Sequence, residues 1–420
     1  MRIMEFELGF GKGISTVNIN ENNFLGLLEP NQVKYALSGK EEVKRALAEP
    51  IGTKRLKDIV KRGEKIVIIT SDMTRPMPSK LVLPEILEEL TQANIEISDI
   101  KIVFGLGSHR KQTEEEKRYL VGDAIYSIIE CVDSDISDCV HMGTTANGTP
   151  VDIFRVVAEA DRRICLGNIE YHYFAGYSGG AKAIMPGVST RSAIQANHSK
   201  MVEKEAKAGE MAHNPVRKDI EEAIKFIPID FLLNVVLDEK KTIIKAVAGH
   251  HVQAHWEGCQ FLDQLYKVKI KQLADIVIVS AGGYPKDINM YQAQKALDNA
   301  KHAVRNGGII ILVASCQDGL GEEVFEKWML KADTPQWLID EIQKNFVLGG
   351  HKAAAIGMVL LNSKIFLVSN LNSALVKQLF MVPFENVEAA LHKAFEELGR
   401  DAGVLLMPYG GSTLPVLGRR

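Results

Sequence analysis

Short, nearly unbroken runs of apolar residues recur along the chain and stop at glycines or polar residues: KIVIIT at 65–70, IKIVFGLG at 100–107, RRICLGN at 162–168, ADIVIVSAGG at 274–283 and GGIIILVAS at 307–315. A run of this length without polar alternation predicts a strand covered on both faces. Between the runs the apolar period lengthens to that of a helix. SKLVLPEILEELTQA (79–93) opens on Ser79 as its N-cap, NMYQAQKALDNAKHAV (289–304) opens on Asn289, and ENVEAALHKAFEELG (385–399) closes on Gly399. Strands alternating with helices predict an α/β protein whose mostly parallel sheets are flanked by helices. The pattern runs twice, with the polar segment YKVKIKQLAD (266–275) between the two passes. Two domains are therefore expected, over residues 1–270 and 271–400, with 401–420 returning to the first. Ligands of such sheets bind beyond the C-terminal ends of the strands. The loops there, and the cleft between the domains, are where a site is expected.

Composition narrows the partners. A formal net charge of −3 and a pI near 6.4, with Lys and Arg scattered along the chain, leave no electrostatic footprint for nucleic acid or for an anionic membrane. The cysteines, Cys131, Cys139, Cys165, Cys259 and Cys316, are odd in number and form no C-x-x-C pair, which argues against a disulfide framework and a cysteine zinc site. The opening MRIMEFELGFGKG has no signal-peptide core, and the longest apolar runs, such as GIIILVA at 308–314, are too short to span a bilayer. A cytoplasmic protein is expected.

Five loops carry chemistry. SDMTRPMPSK (71–80) follows a strand and sets Arg75 directly before Pro76, with Pro78 stiffening the exit, the form of a clamp for carboxylate or phosphate; an Arg75–Asp72 ion pair is the structural alternative. GLGSHR (105–110) begins like a dinucleotide fingerprint but lacks the third glycine, which disfavours ordinary NAD binding and leaves His109 at a strand end as a candidate general base. In EYHYFAGYSGGAKAIMPG (170–187), Lys182 is set wrongly for a phosphate-binding loop, so it reads as an anion clamp or a covalent tether, with glycines such as Gly179 and Gly180 allowing close backbone approach and His172 at the loop mouth. His198, in AIQANHSKMVEK (193–204), has no second ligand at metal spacing, so any metal there needs ligands from a cofactor. Tyr291, Gln292 and Lys295, in GGYPKDINMYQAQKAL (282–297), share one face at a helix start. His251 and His255 in GHHVQAH (249–255) have helical ligand spacing but lack the glutamate of a metalloprotease, and are expected to face solvent.

Taken in chain order, SDMTRP, GLGSHR, YHYFAGYSGGAK, the Asn197–His198 pair and YQAQK (291–295) together resemble the nickel-pincer lactate racemase family over nearly the whole chain. The resemblance implies a racemase or epimerase, an isomerase acting on a 2-hydroxycarboxylic acid such as lactate by reversible hydride transfer to a nickel-pincer nucleotide. By the same resemblance Lys182 is the covalent tether of that pyridinium mononucleotide and His198 the protein ligand to nickel. His109 and His172 are the two acid/base histidines, Arg75 holds the substrate carboxylate, and Tyr291, Gln292 and Lys295 contact substrate. Asp72 and Thr74 would orient Arg75 or meet the cofactor, and cofactor-synthesis proteins would act upstream. The chain departs from the family pattern at Tyr171 and Tyr173 beside the loop histidine and at Ala181 before the lysine. Two other readings stay open from the residues alone: a Schiff-base lyase or aldolase using Lys182, and a non-catalytic protein that binds a hydroxy acid or nucleotide.

Overall fold

In the computed structural model, which describes residues 2–418, the chain forms two compact units. One is Val33–Asp263; the other combines the residues up to Gln32 with those from Gln264 onward. Each unit has its own six-stranded sheet, and among the described residues no helix is long and apolar enough to cross a membrane.

In the unit Val33–Asp263 the strands lie in the order Ile243–Gly249, Phe231–Leu237, Arg162–Asn168, Ile66–Ser71, Ile100–Gly105, Glu130–Asp133. All neighbours are parallel except the edge strand Ile243–Gly249. Ile68, Ile102, Ile164 and Leu233 are wholly buried under Val82, Leu83 and Ile86 of the helix Ser79–Gln92. Burial of each such side chain contributes about 1.5–3 kcal/mol, which is why these runs carry no polar alternation. That helix starts one residue earlier than expected: Pro78 holds the N-cap position, and the Ser79 hydroxyl instead bonds Thr70 Oγ1 at 2.7 Å. From Ile66–Ser71 the chain steps outward through Ile100–Gly105 and Glu130–Asp133, then returns to the opposite flank at Arg162–Asn168. The loops leaving Ile66–Ser71 and Arg162–Asn168 therefore part at a topological switch point, where ligands of open α/β sheets bind.

In the other unit the order is Val382–Phe384, Lys364–Val368, Val304–Val313, Ala274–Ser280, Val404–Met407, Phe24–Leu27, all parallel. The antiparallel hairpin Ile3–Phe10 with Gly13–Asn20 belongs to the same unit. The helices Met290–Ala300, capped by Asn289, and Val387–Leu398, ended by Gly399 at φ 99°, begin and stop at the expected caps.

The expected division 1–270, 271–400 and a returning 401–420 needs correction at both ends. The last strands do not return to the first domain; Val404–Met407 inserts between Ala274–Ser280 and Phe24–Leu27, and Leu414–Leu417 pairs with Lys267–Ile270. It is the N-terminal segment that crosses over. The cause is that Val404–Met407 is buried along its whole length and needs a ladder on both sides, which Phe24–Leu27 completes.

Candidate active site

Each loop singled out in the unit Val33–Asp263 leaves the C-terminal end of a strand of its sheet or packs against one that does. After Ile66–Ser71 the chain turns through Asp72, Thr74 and Arg75. Asp72 is buried, and its Oδ2 accepts from His109 Nδ1 at 2.6 Å. Its Oδ1 accepts from Thr74 N at 3.1 Å and from Thr74 Oγ1 at 2.7 Å. Burial pushes the Asp72 carboxyl up, but the hydrogen bond and charge of His109 and the two Thr74 bonds outweigh it, and the net shift is downward. An ionised Asp72 fixes the His109 proton on Nδ1 and leaves the lone pair on Nε2, the state of a general base. Asp72 and Thr74 thus orient His109 rather than Arg75. Among the described residues Arg75 makes no ion pair, so the structural Arg75–Asp72 bridge does not form, and its guanidinium is exposed.

His109 is brought to the glycine-rich loop by backbone contact. Gly107 N donates to Gly187 O at 2.9 Å, and a Cβ on Gly105 would lie 3.3 Å from the Gly187 backbone. The glycine-rich loop follows Arg162–Asn168. Gly179 and Gly180 have φ 71° and 60°, and the space a Cβ would take is already filled, by Asn234 Oδ1 at 2.6 Å and by the His255 ring at 2.8 Å. Asn234 Oδ1 also accepts from Gly180 N at 2.8 Å. At these two glycines the protein's own side chains occupy the Cβ side of the backbone.

His255 also departs from expectation: it is buried, not solvent-facing, with Nε2 2.8 Å from Ser178 O. Burial, with the charge of Arg217 second, pushes its pKa down to about 3, so it stays neutral and holds the loop by that bond. Arg217, also fully buried, ties the same loop through Ala175 O at 3.3 Å and through Tyr177 O. Tyr171 and Tyr177 both donate their hydroxyls to Asp263 Oδ1 at 2.8 Å, so Tyr171 anchors the loop.

At the centre of the loop is Phe174, buried and missed by the sequence reading. The His172 ring meets it edge-on at 4.5 Å, the His198 ring at 5.0 Å, and Lys182 Nζ lies 5.9 Å from its centroid. One aromatic ring thus spaces the three groups assigned to acid/base work, metal and tether. Burial pushes the Lys182 ammonium well below its usual range, and the charges of Arg217 and Arg75 push it further. Burial likewise lowers His172, followed by the charges of Lys182, Arg75, His198 and Arg217. His172 is therefore neutral near pH 7, and the neutral form of Lys182 is favoured. His172 Nδ1 accepts from Ala175 N at 3.3 Å, which places the proton of the neutral ring on Nε2. His109 and His172 are held in opposite tautomers.

His198 ends the helix Arg191–His198, whose N-cap Thr190 accepts from Ala193 N. It is buried, and its Nδ1 lies 2.9 Å from Asn197 Oδ1. Among the described residues there is no group of three or more His, Cys, Asp or Glu that could hold a metal ion.

Tyr291, Gln292 and Lys295 lie in the other unit, together on the first turns of Met290–Ala300, beyond the strand Ala274–Ser280. Asn289 Oδ1 caps that helix at Gln292 N, 2.9 Å away. The Tyr291 ring packs against Phe325 at 5.6 Å and under Lys352 Nζ at 3.9 Å, while Gln292 and Lys295 are exposed.

With this geometry in place, comparison with known proteins is decisive. The lactate racemase N-terminal domain model matches residues 10–209 and the lactate racemase C-terminal domain model matches residues 269–414. The chain belongs to the lactate racemase family. It is 36% identical over 420 residues to the lactate racemase of Thermoanaerobacterium thermosaccharolyticum, covering 97% of this chain and 98% of that one. It is 34% identical to the lactate racemase of Lactiplantibacillus plantarum, covering 97% and 99%. The structure of the lactate racemase apoprotein from T. thermosaccharolyticum superposes with a TM-score of 0.87 at 34% identity, over 98% of this chain and 100% of that one. A crystal structure from Thermotoga maritima shares the fold, with a TM-score of 0.62 at 18% identity over 91% of this chain and 100% of that one. Membership in the lactate racemase family makes the protein an isomerase by kinship, and Asp72, His109, His172, Lys182 and His198 lie within the segment matched by its N-terminal domain model.

Proposed function

We propose that this protein racemises lactate or a closely related 2-hydroxycarboxylic acid with the help of a nickel-pincer nucleotide. The observation that carries the reading is the cluster of Lys182, His172 and His198 around Phe174, at the mouth of a switch point flanked by Arg75 and the Asp72–His109 pair.

The residues suit the cofactor. The surroundings that lower the Lys182 pKa favour its neutral amine, the form able to attack a carboxyl-derived group and form an amide. His198 offers one imidazole, and the absence of a protein metal cluster among the described residues fits a nickel ion whose remaining donors come from the nucleotide. Bound there, the nucleotide would supply a hydride acceptor for the carbinol hydrogen. Around that chemistry the chain's own groups divide the remaining work. Arg75, exposed and without an ion pair among the described residues, binds the substrate carboxylate, where a guanidinium can hold both oxygens. His109 Nε2 takes the hydroxyl proton while Asp72 stabilises the resulting imidazolium. His172 is assigned the matching transfer for the opposite enantiomer, and exchange of each ring's proton with solvent resets the pair. Tyr291, Gln292 and Lys295 are assigned to substrate contact, and cofactor-synthesis proteins to maturation of the enzyme.

The test is to produce the protein together with nickel-pincer synthesis proteins and incubate it separately with D- and L-lactate. Formation of the opposite enantiomer from each, with added mass on the Lys182 peptide and about one nickel per chain, is the expected result. Full activity of a metal-free protein with unmodified Lys182, together with borohydride trapping of Lys182 by a keto acid, would overturn the reading in favour of a Schiff-base enzyme.

A further inference from the structure

Behind His198 lies a buried carboxylate that no step above uses. Asp219 is on the helix Pro215–Ala223, is 1% exposed, and collects four donors: Thr145 Oγ1 at 2.6 Å on Oδ1, and Thr149 Oγ1 at 2.7 Å, Asn197 Nδ2 at 2.8 Å and Lys200 Nζ at 3.1 Å on Oδ2. A fifth, longer approach comes from Asn147 Nδ2 at 3.5 Å. Asn197 is itself wholly buried, and its amide nitrogen also donates to Val216 O at 3.1 Å. With two acceptors in front of Nδ2, the amide has one orientation, and Oδ1 must be the atom that faces His198 Nδ1 at 2.9 Å. An amide oxygen can only accept, so Nδ1 of His198 carries a proton, and in the neutral form of the ring the lone pair is on Nε2. The Phe174 ring, edge-on at 5.0 Å, holds the plane of the imidazole.

We infer that Asp219 is a positioning residue for the nickel ligand: through Asn197 it selects the His198 tautomer whose Nε2 can donate to metal. The inference rests on the assignment of His198 as the ligand, and it adds the reason this chain places a charged residue in a dry site. Groups behind metal-bound histidines commonly set ring orientation and basicity, and their loss typically costs 10- to 100-fold in metal affinity. Lys200 and Thr149 fix which substitution of Asp219 is tolerated. In Asp219→Asn the ammonium of Lys200 keeps the acceptor oxygen on the Asn197 side, while the Thr145 hydroxyl can turn to accept from the new amide nitrogen. Asp219→Leu removes the acceptor and frees the Asn197 amide to rotate.

Long-range 1H–15N correlation spectra of 15N-histidine-labelled protein without cofactor, at a pH where the ring is neutral and with His198 assigned through His198→Gln, read the tautomer directly. Wild type and Asp219→Asn are expected to show His198 protonated on Nδ1, and Asp219→Leu and Asn197→Ala to show the proton moved wholly or partly to Nε2. Nickel dissociation from the matured protein should be about 10- to 100-fold faster for Asp219→Leu than for Asp219→Asn, although both lower the melting temperature. A wild-type His198 protonated on Nε2 overturns the inference whatever the variants do. So does an unchanged tautomer in a folded Asp219→Leu or, should that variant fail to fold, in Asn197→Ala. Protonation on Nδ1 in a protein that matures without nickel would instead leave the relay standing and remove the cofactor reading.

Discussion

Replacing Asp72 by asparagine tests the acid/base assignment at its most sensitive point. The side chain keeps its size, and the question is which end of the new amide faces His109. Thr74 decides it: Oδ1 accepts both Thr74 N–H and Thr74 Oγ1–H. The hydroxyl can rotate to accept from an amide, but the N–H cannot, so keeping the oxygen there is favoured by about 1 kcal/mol, the net worth of one hydrogen bond. That is roughly a fivefold preference for the orientation that turns the amide nitrogen toward His109 Nδ1. His109 Nδ1 must then accept, its proton moves to Nε2, and the atom that would take the substrate proton is blocked. The negative charge that stabilised the imidazolium is lost as well, a charge-assisted bond worth about 1.5–3 kcal/mol. General-base catalysis contributes about 10²–10⁴-fold, so the variant is expected to lose about that factor in kcat for the direction His109 initiates. Its KM, nickel content and covalent mass at Lys182 should stay close to wild type. The assay is the initial rate of enantiomer interconversion from each side, with nickel measured on the same sample. A variant that keeps more than a tenth of wild-type kcat in both directions would refute the role given to Asp72 and His109.

Other expectations follow from the same contacts. Lys182→Ala should lose the covalent cofactor mass, and His198→Ala should lose nickel while keeping Lys182 modified; mass spectrometry of the peptide and metal analysis separate the two. Gly180→Ala places a Cβ 2.8 Å from the His255 ring at φ 60°. The left-handed backbone alone costs about 1–2 kcal/mol, and with the clash a fall in melting temperature of about 5 °C or more is expected at about 2–4 °C per kcal/mol; an unchanged melting curve would mean the loop is not packed as described. Asp72 and Asp219 both have carboxyls held below the usual range: burial opposes the shift, and His109 with Thr74, or Thr145, Thr149, Asn197 and Lys200, overcome it. A depressed folded pKa stabilises fully above the unfolded value of about 3.9 and that contribution is lost as pH falls through the lower folded value. Acid unfolding followed by circular dichroism should therefore shift to higher pH in Asp219→Asn.

The strands were readable because each is buried on both faces and so consists of one unbroken apolar run; Ile66–Ser71 and Ala274–Ser280 differ from the expected bounds by one residue or a few. The site residues were readable mainly through a shared order of motifs. What stayed hidden has a common cause, the pairing of a polar residue with a partner remote in the chain. His255 reads as a surface histidine until Ser178 O, 77 residues away, is brought to it. Asn214, the N-cap of the helix Pro215–Ala223, and Arg217 and Asp219 on it have the composition of a solvated face, yet all three are buried, because the groups they satisfy come from the glycine-rich loop, from Asn197 and from the segment around Thr145. Asn214 before a proline caps this helix in NPVRKDIEE (214–222), but nothing local in the sequence marks which way its charges point. The N-terminal crossover was hidden for a similar reason, since Phe24–Leu27 finds its ladder only at Val404–Met407.

That last pairing sets an order of events during synthesis. The residues of the unit Val33–Asp263 all leave the ribosome long before Val404–Met407, so that unit has its complete sequence while its neighbour still lacks a central strand. Until then Phe24–Leu27 waits with an open edge, the kind of unpaired strand on which nascent chains mispair. In chain order the unit Val33–Asp263 interrupts a host whose six-stranded sheet has its first and last strands, Phe24–Leu27 and Val404–Met407, side by side. A circular permutant that joins the old termini and opens at the junction near Asp263 should place the host's strands consecutively, and would remove the wait.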